Sequence, residues 1–152
     1  MKDLFERNLK AFDAGDWNAY KADLSPSFEY EETATGRRGK GDEFIALVKG
    51  WKAAFPDLKT EVKHYYEAGD TIIAEVEWTG THKGALEAGF GSLPASNKSV
   101  RERGVLLYKV KDGKFIASRS YFDLLGLLKQ IGAGAMLGAP AGKPEAEKRA
   151  VS

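Results

Sequence analysis

The stretch Val100 to Ile131, VRERGVLLYKVKDGKFIASRSYFDLLGLLKQI, decides the fold. Two apolar-rich runs flank Lys111-Asp112-Gly113-Lys114. An Asp-Gly pair accepts the positive φ angles of a tight hairpin turn whose twist matches that of its strands. The second run, Phe115 to Phe122, stops at Asp123. Leu124, Leu125, Leu127, Leu128 and Ile131 then recur at i, i+3, i+4 and i+7, which is helical spacing. The stretch therefore reads as a β-hairpin feeding directly into an amphipathic helix, with Asp123 at the seam as the helix N-cap.

Upstream, Leu4, Phe5, Leu9 and Phe12 form one helical stripe that ends at Ala14-Gly15-Asp16, where Gly15 can take a left-handed C-terminal turn. Asp16 caps a second short helix expected over Trp17 to Leu24, stopped by Ser25-Pro26. Phe28, Tyr30 and Glu32 alternate with Glu29 and Glu31, so a short strand turns two aromatics and one carboxylate to the same side. Thr35 to Gly41 reads as a glycine-rich basic turn. Asp42 is then expected to cap a helix whose apolar side carries Phe44, Ile45, Leu47, Val48, Trp51 and Phe55.

From Leu58 the period becomes two, giving a strand to about Tyr66, a turn at Ala68-Gly69-Asp70 and a strand from Thr71 to His82. On the latter, Ile72, Ala74, Val76, Trp78 and His82 share a face. Gly84 to Ser99 has the composition of a mobile loop, and with Leu86, Phe90 and Leu93 it is a candidate lid. Helices first, then consecutive strands and a terminal helix, give an α+β architecture: one curved antiparallel sheet wrapped against helices. The domain is expected over residues 1–132. Residues 133–152, rich in Gly, Ala, Pro and charge, are expected to form a flexible tail.

Composition narrows the function. The 152 residues suffice for one domain with a real core. With no cysteine, disulfides, thiolate metal sites and a cysteine nucleophile are excluded, and a cytoplasmic location fits. Lys plus Arg number 23 against 22 acids, with no long run of one sign, which argues against nucleic acid as partner. No apolar run approaches the ~18 residues of a membrane span, and the N-terminus lacks a signal-peptide core.

Several blocks together resemble the SnoaL-like polyketide cyclases of the NTF2-like superfamily: Ala11-Phe12-Asp13-Ala14-Gly15-Asp16-Trp17, Ala54-Phe55-Pro56-Asp57-Leu58, Gly80-Thr81-His82-Lys83-Gly84, Leu93-Pro94, the Asp112-Gly113-Lys114 turn, and Tyr121 through Gly132. The resemblance implies a cone-shaped α+β barrel with an apolar pocket, and a homodimer through the sheet. The outward parity of the later strands, with Val105 and Leu107 between Arg101, Arg103 and Lys109, fits such an interface. The resemblance also implies an acid/base Asp on the last strand with a His on the strand before it, and those positions fall on Ser120 and Leu106, neither of which can shuttle a proton. A weaker similarity to ketosteroid isomerases puts a general base at Glu32 and an oxyanion donor at Asn8. The fold hosts many activities, so it does not choose among them.

The candidate catalytic residues are accordingly Glu32, as a base whose pKa desolvation would raise, and His82, as a donor or relay. A strand-end acid commonly just meets an arginine, and a strand-end histidine commonly just packs. Tyr30, Trp51, Phe55, Trp78, Phe90, Ser120 and Tyr121 are candidate ligand contacts, and the same aromatics serve equally as core. Neither metal nor cofactor is called for: His64 and His82 lack supporting carboxylate spacing, and Gly36 to Gly41 lacks the spacing of a phosphate-binding loop. Two readings follow. One is a cofactor-independent isomerase, cyclase or lyase moving a proton on an apolar carbonyl or ring-containing substrate; the other is a non-catalytic domain binding an apolar metabolite.

Overall fold

The computed structural model describes residues 1–134; most of the expected tail lies outside the described residues. In chain order the elements are α1 Lys2–Ala14, α2 Trp17–Ala22, β1 Leu24–Glu32, β2 Arg37–Lys40, α3 Gly41–Ala54, β3 Lys59–Ala68, β4 Thr71–Thr81, β5 Leu86–Glu87, β6 Ser92–Leu93, β7 Ser99–Lys111, β8 Lys114–Phe122 and α4 Leu124–Gln130. The main sheet has six strands in the order β2-β1-β8-β7-β4-β3. All its pairs are antiparallel except β1 with β8, where the first and last long strands run side by side. A parallel pair needs a long connection, and here residues 33–113 supply it.

The hairpin forms as the sequence dictates. Asp112 and Gly113 sit at φ 52° and 73°, the two left-handed positions of a type I′ turn, and Lys111 pairs with Lys114 across it. Asp123 caps α4, its Oδ1 accepting from the Gly126 backbone N–H at 2.9 Å. Gly15 closes α1 at φ 70°. The core lies between the helices and the inner face of the sheet, where Phe5, Phe28, Phe55, Phe115 and Ile72 are fully buried.

Four local expectations need correction. The second helix ends at Ala22 rather than Leu24, because Leu24 leaves it to pair beside Phe115 and open β1. The basic stretch after Thr35 is not wholly turn: Arg37–Lys40 is a strand on β1, with Arg38 and Lys40 salt-bridged to Glu31 and Glu29. Asp42 is not the cap of α3; Lys40 holds that position without a side-chain bond, and Asp42, one residue inside, pairs with Lys21 at 2.8 Å. The 84–99 segment carries the paired strands β5 and β6 with Leu86, Ala88 and Leu93 buried, so apolar anchoring outweighs its glycine content.

Among the described residues no helix is long and apolar enough to cross a membrane, and no group of three His, Asp or Glu could hold a metal.

Candidate functional site: an apolar cavity between two buried carboxyls

Between α1–α3 and the inner face of the sheet lies a cavity of about 130 Å³, on the order of the space that holds one small ring in an engineered apolar cavity (~150 Å³). Period two puts residues of alternate parity on its wall: Ser118, Ser120 and Phe122 from β8, Val100, Glu102, Leu106 and Tyr108 from β7, and Trp78 from β4. Helix α3 contributes Phe44, Leu47, Val48 and Trp51, with Phe55 just beyond its end.

One row of aromatic rings crosses the wall. Trp51 meets Phe122 edge-on at 5.6 Å between centroids, and Phe122 meets Trp78 edge-on at 6.4 Å, both favourable for aromatic quadrupoles. Gly104 makes room for this row: a Cβ there would sit 2.5 Å from Cζ3 of Trp78.

Glu32 closes one end of the row. It is 3% exposed, and both of its oxygens are hydrogen-bonded. Its Oε1 accepts from Thr35 Oγ1 (2.5 Å), Arg37 Nε (3.0 Å) and Arg37 Nη2 (2.7 Å), and its Oε2 accepts from Trp51 Nε1 (2.8 Å). Arg37 is itself fixed, with Nη1 donating to the Glu87 carbonyl and the guanidinium 5.9 Å from the Trp51 ring centroid. The β1–β2 hairpin, whose register places Glu32 opposite Arg37, builds this pair. The carboxylate is thus an ion-pair partner whose Oε2 retains acceptor capacity beyond the indole bond.

Glu102 reaches the wall next to Trp78, its partner across the β4–β7 ladder, and is 9% exposed. Gln130 Nε2 of α4 donates to its Oε2 at 3.2 Å, and no cation pairs with it among the described residues. Burial, reinforced by the negative charge of Asp123, pushes its carboxyl above the ordinary 4.5. Deeper in the cone, burial likewise pushes the Tyr20 and Tyr108 phenols up, which keeps them un-ionised.

The SnoaL-like polyketide cyclase family model matches residues 2–131. The chain belongs to that family. Similar solved structures include TsrD from Streptomyces laurentii (25% identity, TM-score 0.73, covering 87% of this chain and 94% of that one). AclR from Streptomyces galilaeus is similar at 22% identity and TM-score 0.75, covering 86% and 94%. A SnoaL-like protein from Jannaschia sp. CCS1 is similar at 23% and 0.74, covering 87% and 93%. These likenesses show the NTF2-like fold. A comparison with curated proteins returns no match.

Ser120 and Leu106, where the family resemblance places the acid and its histidine, are direct partners across β7–β8 and both line the cavity. Asn8 does not reach it: its Nδ2 donates to the Tyr20 carbonyl (3.1 Å) and to Asp23 (3.2 Å), tying α1 to α2.

Of the residues singled out from the sequence, Glu32, Tyr30, Trp51, Phe55, Trp78 and Ser120 converge on the cavity. His82, Phe90 and Tyr121 do not. His82 is buried outside the wall, its ring tilted against Phe55 at 5.3 Å, with Nδ1 accepting from the Ser96 amide at 3.2 Å. Burial lowers its pKa below 6.5, so the ring is a neutral packing element. Phe90 stands exposed between β5 and β6. Tyr121 is 44% exposed, because it neighbours two inward residues and period two turns it to the opposite face. Glu102 was missed, although it shares parity with Val100, Leu106 and Tyr108 and so stands as a carboxyl in an apolar row.

Proposed function

We propose that this chain binds a small, largely apolar, ring-containing carbonyl compound in the cone and moves a proton on it, as a cofactor-independent isomerase, cyclase or lyase. The observation that carries this reading is the cavity itself: apolar and aromatic along its length, with buried carboxyls on the wall at Glu32 and Glu102. Polar groups convergent on an apolar pocket fix the orientation of a ligand and supply its chemistry. Glu32 Oε2 is the acceptor for a proton α to the carbonyl, steered by Trp51, while Oε1 stays committed to Arg37. The rings of Trp51, Phe122 and Trp78 hold the substrate ring and exclude water.

A second reading, binding without turnover, is favoured by a specific observation: Ser120 and Leu106 face the cavity where the family resemblance places proton-transferring groups, and His82 lies outside it. Glu32→Gln separates the two. For an enzyme, turnover falls by on the order of 10² to 10⁴ while affinity is kept. For a carrier, affinity changes modestly and there is no rate to lose. Native mass spectrometry of the purified chain is the route to the ligand.

The sheet's outer face supports a further element of this proposal, a homodimer. Ile73, Val105 and Leu107 are half-buried and Tyr121 is exposed there, an apolar centre ringed by Arg101, Arg103 and Lys109. Sedimentation at micromolar concentration tests it, and a monomer would count against it.

A further inference from the structure

We propose that Glu102 serves the cavity as a neutral carboxylic acid, donating a hydrogen bond to the carbonyl oxygen of the bound compound at the Trp78 end of the aromatic row. The inference rests on the pocket reading above and adds the polar group that distinguishes a ketone from the bare ring.

The geometry that carries it is the contrast between the two wall carboxyls. Glu32 receives an arginine, a threonine hydroxyl and an indole N–H. Glu102 receives two neutral donors, the Gln130 side-chain amide and the Asp123 backbone N–H, and no cation among the described residues. The groups facing it are readily named. From α4 comes the neutral Gln130; at the β8–α4 junction stands Asp123, an anion; from β4 comes the indole of Trp78. The neighbouring Arg101 and Arg103 turn to the other face of the sheet, where both bond to Glu77. Burial first, then the Asp123 charge, disfavour a negative charge here and outweigh the Asp123 N–H and Gln130 amide that favour it, so the proton is retained above the ordinary glutamate range.

A protonated carboxyl is an O–H donor, which the remainder of the aromatic row is not. The wall's other hydroxyls, on Ser118, Ser120, Thr60 and the tyrosines, come from other positions, and at the Trp78 end it is the Glu102 O–H that pairs with a ligand acceptor such as a ketone oxygen. If Glu32 takes an α-proton, the charge that develops on that oxygen is met by the Glu102 O–H, the role for which His82 lies in the wrong place. The proton stays on Glu102 in this step, so no co-reactant is required.

The test uses the full-length chain with 1-indanone and, as the ring without its oxygen, indane. Binding is followed through the Trp51 and Trp78 signals across pH, alongside infrared spectra of the carboxyl region. The expected result is a protonated-carboxyl band that persists above the ordinary glutamate range, is lost in Glu102→Gln, and disappears in the wild type as indanone affinity drops about tenfold. Indane affinity stays flat with pH. Glu102→Gln, whose amide still donates, keeps indanone bound with the pH dependence gone, and Glu102→Leu binds the two compounds alike. If both compounds bind but indanone affinity ignores pH in the wild type, Glu102 is not the donor while the pocket stands. If neither binds nor moves the two indoles, the pocket reading fails and this inference with it. The wild-type pH series and its infrared band decide the matter even if a variant fails to fold.

Discussion

Replacing Arg37 by Met tests how the candidate site is held together. Glu32 is buried with its side chain 4% exposed, and Arg37 supplies two of its four hydrogen bonds. Removing the guanidinium leaves a buried carboxylate with only Thr35 and Trp51 as donors. Breaking a buried ion pair on one side costs about 3–5 kcal/mol. Because the Arg37 side chain is 26% exposed, water enters the vacated space and the lower figure applies, about 3 kcal/mol. At about 2–4 °C per kcal/mol for a domain of this size, Tm falls by about 6–12 °C. Glu32→Gln leaves Arg37 able to reach solvent and the Glu87 carbonyl, so it costs less, about 1–2 kcal/mol. In the double variant no charge is stranded, and the loss stays near that of Arg37→Met alone, a coupling of about 1.5 kcal/mol. Urea unfolding of the four proteins at pH 7 measures the cycle. An Arg37→Met loss within about 0.5 kcal/mol of wild type, or strict additivity, refutes the claim that this pair anchors the cavity end.

Other outcomes follow from the same geometry. Gly104→Ala puts a Cβ against Trp78 and 2.5 Å from the Tyr121 backbone oxygen, which cannot step aside; a loss of about 1–3 kcal/mol and altered Trp78 fluorescence are expected. Asp123→Ala removes the α4 cap and costs about 1 kcal/mol in urea unfolding. Because the folded-state pKa of Glu102 is raised, the folded chain keeps a proton that the unfolded chain has released, so the Glu102 contribution to stability falls as pH rises from about 4.5 through the folded value. Urea midpoints of Glu102→Gln, compared with wild type across that range, should lose this downward component; parallel curves would contradict it.

The fold was legible where one local rule governed. The Asp112-Gly113 turn, the Asp123 cap, the Gly15 stop and the inward Phe28-Tyr30-Glu32 face each follow from a few adjacent residues, and each stands in the structure as read. What escaped depends on distant partners. Strand β2 exists because Glu29–Glu32 offers it a ladder, and β1 begins at Leu24 because Phe115 lies beside it. In the site, parity alone separates Ser120 from Tyr121 and sets Glu102 in the inward row with Val100, Leu106 and Tyr108. His82 could not be placed that way. Its face was read correctly as apolar, but beyond Trp78 the strand runs past the cavity, and the ring packs behind Phe55 instead of in front of it.

The central claim is that the cone holds a small ring-containing carbonyl compound against its aromatic row, and the three tryptophans report on it directly. Trp51 and Trp78 line the cavity, whereas Trp17 packs on Phe12 and Tyr20 and is not part of the wall. In a ¹⁵N-resolved titration with 1-indanone, the indole N–H signals of Trp51 and Trp78 should shift saturably while that of Trp17 holds still. Movement of Trp17 alone, or no movement of any indole at saturating ligand, would contradict the account.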